Sequence, residues 1–249
     1  SSLLKLAYKN NLYSILVNLT AFLCVYYQVA SFDIPYIDLW FYCTVLFMAV
    51  RLLIDILFRR YFAPDTVQFT EKTLHTWSHY HAFGVILGGC SWAIIAVIAL
   101  PNLGLEERFV VTVISSALAG GATGVLAPSK IVGKLFIILT LLPASITLIF
   151  ITPSLPLLGF LGSFFCVVML VGHSNNYRQI LSNIELTFKN DGLLDSLKEQ
   201  NQEISDLNQR LENRVRERTA DLERMALTDR LTQLNNREGF LERCGRLAL

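Results

Sequence analysis

The stretch HTWSHYH, residues 75–81, holds three of the chain's four histidines. His75 and His79 are four apart, which puts both imidazoles on one face of a helix, where ring nitrogens ligate a metal or face a haem. With His81 beside them and His173 far along the chain, the candidate metal set is His75, His79, His81 and His173. No acidic or cysteine partner stands at a fixed spacing, and with Trp77 and Tyr80 the same residues also read as an interfacial belt. Arg51 and Asp55, again four apart, interrupt an apolar segment. An unpaired charge there is costly, so the two are expected to pair with each other, with an anionic-ligand or coupling role for Arg51 as the alternative. The five cysteines (Cys24, Cys43, Cys90, Cys166, Cys244) make no CxxC or metal spacing. Four of them lie in apolar stretches, where a free thiol packs as a small hydrophobe.

These groups must be positioned by a membrane bundle. The 249 residues are 53% hydrophobic and 16% charged, well below the roughly 25% charged residues of soluble domains. Residues 12–172 are nearly free of charge outside short loops, while 189–246 carry most of it. Six stretches are long and apolar enough to span: about 11–30, 37–58, 80–100, 107–127, 131–151 and 155–173. Each must be helical, because in lipid the backbone is satisfied only within the segment. No small-residue cleavage site follows the first stretch, so it reads as a span and not as a leader. Lys5 and Lys9, then Arg59, Arg60 and Lys72, then Lys130 and Lys134, then Arg178 all fall on one side, which predicts both termini in the cytoplasm. The net charge of +1 gives no basis for nucleic acid, and none is expected as a partner.

Within the bundle, SSALAGGATG (residues 115–124) sets Ser116, Gly120 and Gly124 four apart. Such a face permits close helix packing, or its missing side chains leave a ligand cavity. Pro143 should kink the fifth span. The outer loops are too short to fold, so a small-molecule or membrane-borne stimulus would be read inside or beside the bilayer, and the candidate ligand residues are Arg51, Trp92, Ser116 and Gly120. A transporter fits the span count, but no matched pair of broken helices marks a midplane site.

Beyond His173 the helical pattern continues, with KNDG (residues 189–192) as an expected joint, since Asn, Asp and Gly are poor in helix interiors. Leu197, Ile204, Leu207 and Leu211, then Val215, Leu222 and Met225, form an apolar seam with one extra four-residue step, a stutter. One chain cannot bury such a seam, so a parallel homodimeric coiled coil is expected. It reads either as a spacer or as a marginal coil with two registers, related by a rotation on the scale of about 20° per heptad.

DRLTQLNNRE (residues 229–238) resembles the opening of a GGDEF domain, the catalytic domain of diguanylate cyclases. Asp229, Leu231, Thr232, Leu234, Asn236 and Arg237 match that opening, while Gln233 and Glu238 depart from it at a Gly and an Arg position. The preceding LENRVRERTADLERMALTD is similar to the helix that leads into such domains. WSHYHAFGVILGGCSWA and ALAGGATGVLAPSK are more loosely similar to integral membrane sensor modules found ahead of GGDEF and histidine-kinase domains. The resemblance implies a homodimer in the bacterial inner membrane that condenses two GTP, each bound with Mg²⁺, into cyclic di-GMP. The 3′-hydroxyl of one GTP would attack the α-phosphate of the other. The family's metal-binding acids and GG(D/E)EF turn would lie beyond Leu249.

The expected fold is therefore an all-α membrane protein of six spans. Residues 1–173 form the sensor, 174–227 the signalling helix and dimeric coil, and 228–249 the beginning of an α/β GGDEF domain. The alternative is a degenerate GGDEF domain that relays GTP binding or precedes a phosphodiesterase. A histidine kinase would need a phospho-acceptor His after the stalk, and no His follows His173.

Overall fold

The computed structural model describes residues 2–62, 70–152, 155–229, 232 and 234–241. Six helices follow in order: α1 Ser2–Val29, α2 Ile37–Tyr61, α3 Glu71–Ala99, α4 Leu105–Val125, α5 Lys130–Phe150 and α6 Pro156–Leu227, with a short 3-10 turn at Leu100–Asn102. All six are long and apolar enough to cross a membrane. The chain divides into two units, 1–183 and 184–249.

In the first unit, α2 shows why these sequences form a bundle. Ile37, Trp40, Thr44, Met48, Arg51, Asp55 and Phe58 recur every three or four residues and are buried. Leu39, Leu46 and Leu53 recur every seven on the opposite face and are exposed, as suits a lipid-facing surface. α3 and α5 lie at the centre, with 56% and 50% of their apolar windows buried against 28% for α1 and for α2. α5 runs helical through Pro143.

Small residues set the close approaches, but on other helices than α4. A Cβ at Gly84 would stand 3.2 Å from the Arg51 stem, and one at Gly89 would stand 3.1 Å from Leu139. Gly159 and Gly162 of α6 face Ser145 and Ile149 of α5 too closely for any Cβ, and Gly133 of α5 holds the His173 ring in the same way. Among the described residues, Gly120 and Gly124 have no neighbouring atom within 4 Å of a would-be Cβ, so no helix packs against these two positions.

The cysteines also depart from the expectation of core packing. Among the described residues only Cys166 is buried, while Cys24 and Cys43 are exposed and Cys90 is intermediate. An apolar exterior accepts a thiol as readily as the interior does. Cys244 lies outside the described residues.

The second unit contains the rest of α6. Lys189–Gly192 is helical, so the expected joint does not form. Lys189 pairs with Glu185 at 2.7 Å one turn earlier, and a lone glycine costs a helix only about 1 kcal/mol. Leu197, Ile204, Leu207, Leu211, Val215, Leu222 and Met225 are all exposed in the single chain.

Past α6, Thr228 and Asn235 form an antiparallel bridge. Asp229 Oδ1 accepts from the Thr232 amide (3.0 Å) and hydroxyl (3.1 Å), closing the turn from inside. Asn236 Nδ2 donates to the Ala226 carbonyl (2.6 Å), and its Oδ1 accepts from the Gly239 amide (2.9 Å), capping the helical turn that starts at Arg237. Leu234 and Arg237 are exposed, and Leu231 and Gln233 lie outside the described residues.

Candidate functional site

The charged pair sought on α2 proves to be a network organised by α1. Asn11, Ser14 and Asn18 share one face of that helix by their three- and four-residue spacing. Arg51 Nη2 donates to Asn11 Oδ1 (2.6 Å) and to Ser14 Oγ (3.2 Å). Asn11 Nδ2 in turn donates to Asp55 Oδ1 (2.9 Å). The ion pair of Asp55 is with Arg59, whose Nε approaches Oδ2 at 2.6 Å. Arg59 Nη2 also donates to the Tyr8 carbonyl at 2.8 Å. The expected Arg51–Asp55 pair is thus replaced by a bridge through Asn11. The guanidinium has turned toward α1, while its stem lies against the bare backbone of Gly84.

Arg51 and Asp55 are 4% and 1% exposed, so these bonds form where an unsatisfied charge is most costly. Farther along α1, Trp92 Nε1 donates to Asn18 Oδ1 (3.1 Å) and Asn18 Nδ2 donates to the Ser14 carbonyl (2.8 Å). Arg51 and Trp92, both candidate ligand residues, are therefore joined through Ser14 and Asn18, which the sequence reading passed over.

A cavity of about 530 Å³ lies on the other side of this stripe, between α1 and α4 with Phe136 of α5 at its back. Its polar edge is Ser14 and Asn18, with Thr20 turned to the Leu16 carbonyl of its own helix, and its far wall is Ala117, Gly121, Ala122 and Leu126. The small residues of α4 do leave a cavity, but Gly121 lines it where Gly120 and Ser116 do not. Tyr13, Leu16 and Val17 at its mouth are exposed, so it opens sideways through the apolar surface. In a second cavity of about 400 Å³, between α2 and α3, Trp40, Thr44 and Ser91 are already engaged. There Trp40 Nε1 donates to the Ser91 carbonyl (3.0 Å) and the Thr44 and Ser91 hydroxyls pair at 2.6 Å.

The α4 wall connects directly to α6. Beyond Leu126 the chain turns through Ala127, Pro128 and Ser129 into α5. Asn176 Nδ2 donates to the Thr123 carbonyl (3.0 Å) on one side of that turn. His173 Nε2 lies 3.3 Å from the Lys130 carbonyl on the other, within hydrogen-bond reach as the Nε2–H tautomer. The His173 ring is 0% exposed, and its Nδ1 has no partner among the described residues.

The four histidines do not converge. The rings of His75 and His79 are 4.2 Å apart, with His79 Nδ1 engaged at the His75 carbonyl. His81 is buried against Tyr8, within a cluster where Tyr8 stacks on Phe58 at 3.6 Å and its hydroxyl donates to the Trp77 carbonyl. His173 faces α5. Among the described residues, no group of three or more His, Cys, Asp or Glu side chains is arranged to hold a metal. Helical spacing brings two of these imidazoles together but sends His81 to the opposite face. No family model, curated protein or solved structure matches the chain.

Proposed function

We propose that this chain is the membrane sensor and transmission helix of a diguanylate cyclase. In this reading it is a multi-pass homodimer of the bacterial inner membrane, with both termini cytoplasmic. One observation carries the reading. α6, tied by Asn176 to the α4 wall of the cavity, runs helical to Leu227 and reaches the hydrogen-bonded turn of Asp229, Thr232 and Asn236. A stimulus that moves α4 would then act on the helix that leads to the output domain.

The exposed seam from Leu197 to Met225 is what a second copy would cover. The basic residues on alternate loops support the orientation. Two GTP half-sites must face each other for condensation, which gives a dimeric stalk its purpose: it governs their approach. GTP and Mg²⁺ belong to the output domain.

The test is cyclic di-GMP formation from GTP and Mg²⁺ by the full-length protein in nanodiscs, alongside a Leu211→Asn, Val215→Asn double variant. Product that falls with the double variant is expected. A well-folded dimer that binds GTP but makes no product would contradict the cyclase and favour a degenerate relay.

A further inference from the structure

Arg51 is buried without an ion pair of its own among the described residues. Asp55 is engaged by Arg59, whose side chain is 44% exposed, and by Asn11. Arg51 uses only Nη2 in hydrogen bonds among the described residues. A cation kept inside an apolar bundle without a carboxylate of its own marks a place where negative charge is received. Ser14 relays it. The Ser14 oxygen accepts from Arg51 Nη2, which leaves the hydroxyl proton free to be donated, and Ser14 lines the cavity between α1 and α4. Asn18, the other polar group of that edge, is occupied at both ends by Trp92 and the Ser14 carbonyl. The Ser14 hydroxyl is thus a donor backed by a buried charge, while Thr20 Oγ1, also on the lining, donates to the Leu16 carbonyl.

Apart from Thr20 and the exposed Tyr13, the rest of the cavity is lined by apolar residues and Cys24, and it runs along α1 from Tyr13 to Cys24, about 16 Å. Its volume of about 530 Å³ lies within the roughly 300–1,000 Å³ of small-molecule sites. One small anionic head, a long apolar body and a lateral mouth fit a single molecular shape.

We propose that the α1–α4 cavity binds a single-chain amphiphile with a carboxylate head, entering from the bilayer. The carboxylate accepts from the Ser14 hydroxyl in the field of Arg51, and the alkyl chain lies along Ala117 and Gly121. The assignment rests on the sensing role proposed above only for its consequence, because binding is measured without the output reaction.

The experiment uses the full-length protein in phosphatidylcholine nanodiscs with a photo-crosslinkable dodecanoate. Labelled peptides are mapped, and unlabelled dodecanoate, dodecanol and dodecyltrimethylammonium serve as competitors. Labelling on residues 13–24 and 117–126 is expected, with dodecanoate competing about tenfold better than either other compound, the gain of one charge-assisted hydrogen bond. Gly121→Leu places its side chain in the cavity, since no atom lies within 4 Å of a Cβ there. It should abolish labelling, whereas Gly124→Leu, equally open but outside the cavity, should retain it. Ser14→Ala should erase the preference for dodecanoate over dodecanol. Undiminished labelling of the Gly121→Leu protein, or equal competition by the cation, would overturn the proposal. Displacement of the probe by phosphatidylglycerol in the nanodisc would overturn it too, assigning the cavity to membrane phospholipid.

Discussion

Asn11 is the residue on which the buried charges of the bundle depend. Its amide accepts from Arg51 and donates to Asp55, so one side chain satisfies two opposite charges. Asn11→Ala would remove both bonds at once and leave each partner buried with less compensation. We predict a loss of about 1–3 kcal/mol in stability, read as a lowered Tm of the detergent-solubilised protein. Asn11→Asp would put a direct carboxylate beside Arg51 but repel Asp55, and should not restore wild-type stability. An unchanged Tm for Asn11→Ala would mean that the network contributes nothing.

Arg51 and Trp92 were legible in the sequence because charge and indole are conspicuous in an apolar run. Their partners on α1 were not. Asn and Ser are mild enough to pass within a span, and only the shared face of Asn11, Ser14 and Asn18 signals their role. The shift from Gly120 to Gly121 is a similar limit: a run of small residues announces a cavity but not which of them faces it.

Among the elements, α6 rests on contacts that only a missing side chain permits. Gly133 leaves room for the His173 ring, and a methyl group there would collide with it. Gly133→Ala is predicted to cost about 1–3 kcal/mol, and His173→Ala in the same protein should return most of that loss. Additive losses in the double variant, measured by thermal unfolding, would show that the two residues do not press on each other. The sequence did reveal this helix, its exposed seam and the polar turn at Asp229, since all are set by local periodicity and turn chemistry. It misread KNDG, because propensity alone does not break a helix supported by the Glu185–Lys189 pair. For α4 it left close packing and a cavity both open. Which glycines meet a neighbour depends on helix rotation, and α3, α5 and α6 took that role.

At the scale of the molecule, six spans were readable from length and composition, because the bilayer imposes both. What joins the cavity to α6 was not, since the bond from Asn176 to the Thr123 carbonyl spans distant parts of the chain and involves a backbone atom that carries no residue signature. That joint is central: α4 forms a wall of the cavity and also holds the helix that leads to the turn of Asp229 and Asn236. Filling the cavity should therefore change output without touching the coil. The direct measurement is the rate of cyclic di-GMP synthesis by the full-length protein in nanodiscs for wild type, Gly121→Leu and Gly124→Leu, each with and without Asn176→Ala. A change of about fivefold or more is expected for Gly121→Leu alone, within the span of ordinary allosteric coupling, and its loss when Asn176 is replaced. Synthesis equal to wild type in a folded Gly121→Leu protein would contradict it.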